Sequence, residues 1–279
     1  MSVINQESLS AVVAIGTPAP HPKDPNHKHW VGTGFLVGYT HPGANEVFLI
    51  TNKHVVQNQT SLYIRFNAQN GDAAKDFPLN IRKPTGDFDF SLHPHNDVDI
   101  VAVSLNTKFL ADNRSQYSFF DLTSCAIPLQ KMRASGLAEG NLIYSLGFPM
   151  NLVAKTRQYP ICRLGCISRI SDIYEQDNAI DFLVDSQTFP GNSGGPVVTL
   201  EAGAGPNGMA KLIGVLHAYI PYKESLFSRQ TGRERSVMEE NSGLTLVQTV
   251  DRIMEVVEVE RRRIMLFNSN PTPRTEPPA

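Results

Sequence analysis

The sequence predicts an all-β protein that ends in one α-helix. Short apolar runs separated by turn residues recur along nearly the whole chain, at the spacing of strands in a barrel or sandwich. Glycine and proline are plentiful, at 20 and 19 residues, as a turn-rich β protein requires. Only the segment near the C-terminus carries the longer periodicity of an amphipathic helix.

The predicted strands fall into two groups, which residues 106–135 connect. The apolar runs of the first group are 12–15, 34–38, 47–51, 62–66 and 100–105, and those of the second are 142–146, 161–170, 180–184, 196–200, 211–219 and 244–247. Three segments between the runs are predicted as long surface loops, where substrate choice and regulation usually reside: 17–30, 67–97 and 221–241.

The C-terminal helix is predicted over residues 249–267. Thr249 is a suitable N-cap, and Asp251 would interact favourably with the helix dipole in the first turn. Apolar residues follow at the spacing of one buried helix face: Leu246, Val250, Ile253 and Val257. The tail 268–279 has four prolines and is predicted to be disordered.

Composition argues against several classes of partner. Hydrophobic residues make up 41% and charged residues 19% of the chain, so a sizeable core is possible. The net charge of −2 gives no electrostatic reason to expect nucleic acid, and the arginines at 261–263 suit a solvated helix end. No run approaches the roughly 20 apolar residues of a membrane span, and the N-terminus lacks the features of a signal peptide.

Three cysteines fit a reducing compartment, so we expect a cytoplasmic protein.

The segment Gly-Asn-Ser-Gly-Gly-Pro at 191–196 is the strongest chemical signal in the chain. Glycines on both sides of Ser193 allow backbone N–H groups and a hydroxyl to face one small space, as acyl transfer needs. The segment also fits the G-x-S-x-G elbow of α/β-hydrolases, which requires an acid and then a histidine after the serine. Only Glu201 and His217 follow in that order, and the interval is too short for that fold.

The opposite order provides both partners. His54 comes three residues after the apolar run 47–51, and Asp99 lies directly before the run 100–105. Asp97 is a rival two positions away, but only Asp99 adjoins the run. The order histidine, aspartate, serine is that of chymotrypsin.

With these motifs the chain resembles the trypsin-like serine peptidases. The matching segments are GTGFLV at 32–37, TNKHVV at 51–56, DIVAV at 99–103, GNSGGP at 191–196, LIGV at 212–215 and GLTLV at 243–247. The resemblance covers about residues 9–255. The pair Asn192-Ser193 resembles the bacterial high-temperature-requirement branch, although no peptide-binding module is expected after the helix.

The resemblance implies two six-stranded antiparallel β-barrels with the active site in the cleft between them. The first barrel would comprise residues 1–120 and carry the histidine and aspartate, and the second would comprise 121–248 and carry the serine. The helix 249–267 and the tail 268–279 would follow.

The resemblance also implies a role for each residue. Ser193 would attack the scissile carbonyl, His54 would accept its proton, and Asp99 would orient the histidine ring. The backbone N–H groups of Gly191 and Ser193 would face the developing oxyanion. No cofactor is expected. No metal is expected either, because the histidines at 21, 27 and 29 lack ligand spacing.

Substrate binding is assigned to two segments. Gln187 would lie at the floor of the specificity pocket, although Asp185 could enter it if the loop were shifted. His217, Ala218 and Tyr219 would form the pocket wall and the edge strand that pairs with substrate backbone. We expect the pocket to accept a polar or small-to-medium apolar side chain, and His217 raises the further possibility of an acidic one.

The sequence predicts a serine endopeptidase that acts on protein or peptide substrates through an acyl-enzyme. Zymogen-type relatives have an aspartate before the nucleophile, which pairs with a new N-terminal ammonium. Asn192 carries no such charge, so no N-terminal cleavage should be needed. The alternatives are a catalytically silent or latent peptide-binding relative, an esterase, and a regulated effector protease that cuts one partner. The oligomeric state is not indicated.

Overall fold

The computed structural model describes residues 4–22, 24, 27–43, 45–176, 180–200 and 210–269. The chain folds mostly into β-strands, with short helices between them and one long helix at the end. Most of the predicted disordered tail, from residue 270 onward, lies outside the described residues.

The N-terminal half forms one nine-stranded sheet. Its helices and strands are α1 (Gln6–Ser10), β1 (Val12–Pro18), β2 (Lys28–Tyr39), β3 (Glu46–Asn52), α2 (Lys53–Val56), β4 (Leu62–Ala68), β5 (Lys75–Leu79), β6 (Ser91–Leu92), β7 (Ile100–Ser104), α3 (Thr107–Asp112), β8 (Ser115–Gln116) and β9 (Phe120–Asp121). The strand order is β5-β4-β1-β2-β3-β7-β6, with β8 paired to β4 and β9 paired to β2.

This sheet differs from the six-stranded barrel predicted for the first half. Its end strands β5 and β6 do not pair with each other in the part of the chain that the structure describes. Four of its strands were not predicted from the sequence. Strands β6, β8 and β9 have two residues each, which is too short to produce an apolar alternation, and β5 lies within the predicted loop 67–97.

The C-terminal half forms a closed six-stranded barrel followed by a helix, and both were predicted. Its elements are α4 (Leu129–Ala134), β10 (Leu142–Gly147), β11 (Ile161–Arg169), α5 (Ser171–Glu175), β12 (Asp181–Asp185), β13 (Pro196–Thr199), β14 (Lys211–Phe227), β15 (Glu234–Thr249) and α6 (Val250–Ser269). The barrel closes in the order β10-β11-β12-β15-β14-β13.

A shared hydrophobic core joins the two halves. Phe35 of the first sheet, Phe148 after β10 and Leu212 of β14 belong to one buried cluster, into which α6 inserts an apolar face. That face includes Val250, Ile253 and Val257, all fully buried, as the helical spacing predicts. Each half has a further core of its own. The shared core therefore fixes the position of the two halves on either side of the cleft.

The segment 221–241 is a long β-hairpin and not the predicted loop. Strand β14 continues to Phe227 and β15 begins at Glu234, and their pairing runs from Pro221 opposite Asn241 to Phe227 opposite Glu234. We call residues 220–241 the arm. Most of its side chains are exposed on both faces. Its sequence therefore lacks the alternation of apolar and polar residues by which a half-buried strand is recognised.

None of the helices built from described residues combines the length and the apolar character that a membrane span requires.

Candidate active site

The chain places His54 and Asp99 side by side. Strand β3 ends at Asn52, and the short helix α2 then turns the His54 ring toward the start of the neighbouring strand β7. His54 Nδ1 lies 2.5 Å from Asp99 Oδ2, and the His54 backbone N–H donates to Oδ1 at 3.0 Å. The rival Asp97 has an exposed side chain, and its Oδ2 lies 3.8 Å from Nδ1 of His95. The geometry therefore pairs His54 with Asp99.

Asp99 is also held through its backbone. Its carbonyl accepts hydrogen bonds from Lys53 N at 3.1 Å and from Asn52 Nδ2 at 2.8 Å. Its own N–H donates to Oε1 of Gln248, on β15 of the barrel, at 2.9 Å. Both halves of the molecule thus fix the position of this aspartate.

A second histidine contacts the same carboxylate oxygen. His217 Nδ1 lies 3.1 Å from Asp99 Oδ2. Burial would raise the pKa of Asp99, but hydrogen bonds from His217 and His54 outweigh it and hold that pKa well below its usual range. Burial would lower the pKa of His217, but its bond to Asp99 and the nearby charge of Asp181 raise it overall. Asp99 is therefore a carboxylate that two imidazole rings share.

Asp181 interacts electrostatically with both His217 and Asp99. Burial raises the pKa of Asp181, while the charge of His217 and a hydrogen bond from Gln248 oppose that rise. Its Oδ1 is buried without a hydrogen-bond partner among the described residues. His217 is accordingly flanked by two carboxyl groups.

The turn around Ser193 needs glycine for steric reasons. Gly191 has φ +99°, and a Cβ there would lie 2.4 Å from the Phe148 carbonyl oxygen. Gly194 has φ +83°, and a Cβ there would lie 2.3 Å from the Thr33 carbonyl oxygen. Side chains are therefore excluded by both the left-handed backbone and the close neighbours.

The same turn directs two N–H groups toward the cleft. The Pro190 carbonyl accepts from Met150 N at 2.6 Å, so the N–H of Gly191, on the other side of that trans peptide, points away from Met150. The Asn192 carbonyl accepts from Gly195 N at 2.9 Å, so the N–H of Ser193, on the other side of that trans peptide, points away from Gly195. Among the described residues, neither Gly191 N–H nor Ser193 N–H donates a hydrogen bond. Both residues line the cleft cavity.

Thr33 of β2 connects the serine turn to the histidine side of the site. Its hydroxyl donates to the Gly191 carbonyl at 2.6 Å and accepts from Phe148 N at 3.0 Å. Its N–H donates to the Ser193 carbonyl at 3.0 Å, and its own carbonyl accepts from Thr51 Oγ1 at 2.8 Å. Thr33 is fully buried, so these bonds are shielded from water. The GTG motif marks this position in the sequence but does not reveal these contacts.

A cavity of about 300 Å³ brings most of the predicted site residues together. His54, Ser193 and the three predicted wall residues, His217, Ala218 and Tyr219, all line it. In the described part of the chain no hydrogen bond joins the Ser193 hydroxyl to the His54 ring. Such contacts are commonly long in peptidases without substrate.

Gln187 does not line this cavity. Its side chain is exposed, while its carbonyl accepts a hydrogen bond from Arg163. Thr188 lines the cavity in its place, and its hydroxyl lies 2.9 Å from the hydroxyl of Thr245. Adjacent residues of an extended segment point to opposite sides, which explains why a position counted from the serine can be off by one. Two threonines thus line the pocket.

The described residues contain no group of three or more histidine, cysteine, aspartate or glutamate side chains that could hold a metal ion. The three cysteines all lie among them, and no disulfide joins them.

A family model described as the trypsin-like peptidase domain matches residues 32–204. The match spans more than half of the chain and includes His54, Asp99 and Ser193. The chain therefore belongs to the trypsin-like peptidase family.

Several solved structures are similar to this chain. The MamO protease domain from Magnetospirillum magneticum, in its apo form, is 14% identical with a TM-score of 0.44, covering 89% of this chain and 96% of that one. The HtrA-type protease AlgW with a decapeptide is 15% identical with a TM-score of 0.48, covering 93% and 66%. AlgW with a tripeptide is 16% identical with a TM-score of 0.49, covering 90% and 60%. This chain thus spans less than two thirds of the AlgW chains. Comparison with curated proteins finds no match.

Proposed function

We propose that the chain is a serine endopeptidase in which Ser193, His54 and Asp99 form the catalytic triad. The observation that carries this proposal is the convergence on one cavity of an aspartate-bound histidine, a serine and two N–H groups without acceptors. A nucleophile, a base and an oxyanion site are the components of acyl transfer to serine.

The proposed reaction begins when Ser193 Oγ attacks the scissile carbonyl carbon and its proton moves to His54 Nε2. The carbonyl oxygen becomes an oxyanion that Gly191 N–H and Ser193 N–H stabilise. The C–N bond then breaks, and His54 gives its proton to the departing amine. Water hydrolyses the acyl-enzyme by the same steps in reverse, while Asp99 stabilises each imidazolium that forms.

The pocket supports a substrate with a small-to-medium side chain before the scissile bond. Thr188 and Thr245 line it, and the described pocket lining includes no arginine or lysine that would select an acidic residue. His217 is the cationic candidate, but its Nδ1 is directed to Asp99. We therefore favour a small or hydroxyl-bearing residue over glutamate. The cytoplasmic location, the domain boundary at residue 120 and the high-temperature-requirement branch stay predictions.

A silent peptide-binding relative is the second candidate. The absence of a hydrogen bond from the Ser193 hydroxyl to His54 among the described residues is the observation that favours it. Reactivity of the serine separates the two candidates.

A fluorophosphonate probe tests the proposal on the intact protein. We expect one covalent adduct by intact mass, lost in Ser193→Ala and strongly slowed in His54→Ala, because the phosphorus reagent requires an activated serine and a formed oxyanion site. Ser61→Ala, at an exposed serine outside the site, is the matched control and should react like the wild type. A wild-type protein that gives no adduct would contradict the peptidase assignment and favour the binding protein.

A further inference from the structure

Strand β14 extends well beyond the active site with one edge open. It pairs with β13 only as far as Val215, and from Ala218 to Phe227 it pairs only with β15 among the described strands. The nine residues from Tyr219 to Phe227 would span about 27 Å of strand. From Pro221 to Leu226 the register with β15 is regular, so alternate residues direct N–H and C=O groups outward, except that Pro221 lacks an N–H. The register shifts between Tyr219 and Pro221 and again between Leu226 and Phe227.

This edge starts at the catalytic cavity. His217, Ala218 and Tyr219 line the cavity together with Ser193, and the arm continues the same strand away from it. An extended chain bound at the cavity and paired with β14 can therefore remain paired along the arm.

We propose that the arm is an extended substrate-docking edge, to which the polypeptide N-terminal to the scissile bond adds as an antiparallel strand. The inference rests on the proposed peptidase function and specifies its substrate class. Main-chain hydrogen bonds supply the affinity in such strand addition, and side chains at alternate positions supply the specificity.

The exposed side chains of the arm define the chemistry of that segment. Tyr222 and Leu226 lie on one face, 54% and 53% exposed, with Glu224 between them. Glu240, opposite Tyr222, adds a second acid to this face, and neither glutamate has an ion pair among the described residues. On the opposite face of the arm, Lys223 Nζ forms an ion pair with Glu239 Oε1 at 2.6 Å, so these two charges cancel each other. The preferred segment therefore has apolar residues alternating with at least one lysine or arginine.

A second copy of the chain suits this edge less well. The paired part of β14 in the arm runs from Pro221 to Phe227, and Glu224 is its midpoint. A two-fold pairing centred there would set Glu224 directly opposite its own copy, and like charges directly opposite each other destabilise a strand pair.

Peptide length provides the first test. A three-residue acyl substrate ending at the scissile bond is compared with the same substrate extended by eight N-terminal residues, apolar at alternate positions with one lysine. We expect kcat/KM to rise about tenfold or more, since several cross-strand pairs contribute together. The same eight residues placed after the scissile bond form the matched control and should give no gain.

Backbone methylation tests strand pairing itself. Single N-methyl groups placed along the extension should lower kcat/KM at every second position only, because alternate N–H groups face the β14 edge. Equal effects at all positions, or none, would overturn the proposal.

Side-chain preference gives an independent readout. Replacing the lysine of the extended peptide by glutamate should lower kcat/KM, and the variant Glu224→Lys should reverse that preference while leaving turnover of the short substrate unchanged. Arg229→Glu, in the turn between the two strands, is the control and should leave the preference as it is.

The docking inference is wrong if short and extended substrates are cleaved equally well, or if the protein forms dimers that Glu224→Lys changes. Failure to cleave even the short substrate would instead count against the proposed function.

Discussion

His217 is the residue whose role differs most from its sequence assignment, since it contacts Asp99, the aspartate of the proposed triad, in addition to lining the pocket. Its pKa is raised in the folded protein, so its contribution to stability is fully present below its unfolded value of about 6.5 and is lost as pH rises through the folded value. The pKa of Asp99 is lowered, so its contribution is complete above about pH 4 and is constant across this window.

The first prediction is that His217→Ala destabilises the protein more at pH 6 than at pH 9. At pH 6 the variant loses a charged partner of Asp99 and Asp181, whereas at pH 9 it loses only a neutral hydrogen bond. Urea unfolding of wild type and variant at both pH values measures the difference. Equal losses of unfolding free energy at the two pH values would show that the His217 proton does not respond to its carboxylate neighbours.

The second prediction concerns the Thr33 hydroxyl. Thr33→Val keeps the shape but leaves the buried Gly191 carbonyl and Phe148 N–H without their partner, which typically costs about 1–3 kcal/mol per group. We expect slower fluorophosphonate labelling together with lower stability. Thr33→Ser retains the hydroxyl and should label at close to the wild-type rate. If the valine variant labels as fast as the serine variant, the hydroxyl does not hold the oxyanion turn.

Residue-level sequence reasoning succeeds where chemistry and local pattern coincide. His54, Asp99 and Ser193 each adjoin a strand or a glycine turn, and the structure places His54 beside Asp99 and lines one cavity with His54 and Ser193; their catalytic roles stay a prediction. The bond between His217 and Asp99 joins residues 118 positions apart, and the Thr33 to Gly191 bond spans 158. Such contacts depend on how two sheets pack, which no local pattern encodes.

At the scale of elements, α6 fastens the barrel to the N-terminal sheet. Glu260 of this helix is fully buried and accepts hydrogen bonds from Ser91 Oγ at 2.7 Å and Ser104 N at 3.1 Å. Arg263 pairs with the same carboxylate and also with Asp89. Strand β7, which carries Ser104, begins one residue after Asp99, so the helix supports the strand that positions this aspartate.

The third prediction compares two glutamates on this helix. Glu260→Ala should lower the free energy of unfolding by about 3 kcal/mol or more, because it leaves the Ser91 hydroxyl and the Ser104 N–H without their acceptor and removes one of the two carboxylate partners of Arg263. Glu258→Ala removes surface pairs with Arg261 and Arg262 and should cost less than about 1 kcal/mol. Urea denaturation measures both. Similar small losses in the two variants would mean that the Glu260 network does not fasten the sheet.

Elements were predictable where one face is buried. The barrel strands and α6 carry apolar residues at strand or helix spacing, so their sequence pattern reflects their environment. The arm is exposed along most of its length and is held by cross-strand hydrogen bonds, which are independent of side-chain identity. A polar hairpin and a polar loop therefore have similar sequences.

At the scale of the whole molecule, the N-terminal segment belongs to the core shared by both halves. Ile4 and Ala11 are buried in the cluster that contains Phe148 and Leu212, and the Ala11 carbonyl accepts from Leu36 N at 2.8 Å. Asn192, 3% exposed, offers no charge to a new terminal ammonium. The Gly191 and Ser193 N–H groups already lack acceptors among the described residues while the N-terminus is intact.

The last prediction is that removing residues 1–11 destabilises the protein without activating it. The truncation exposes the site of Ile4, whose burial alone is worth roughly 2 kcal/mol, and it cannot supply an ion pair at Asn192. Thermal unfolding should shift to lower temperature, and the fluorophosphonate labelling rate, measured well below that transition, should not rise. Ile4→Ala in the full chain is the control that separates the lost packing from the new N-terminus. Faster labelling in the truncated protein but not in Ile4→Ala would show that a free terminus at Val12 shapes the oxyanion site, in contradiction to the uncharged Asn192.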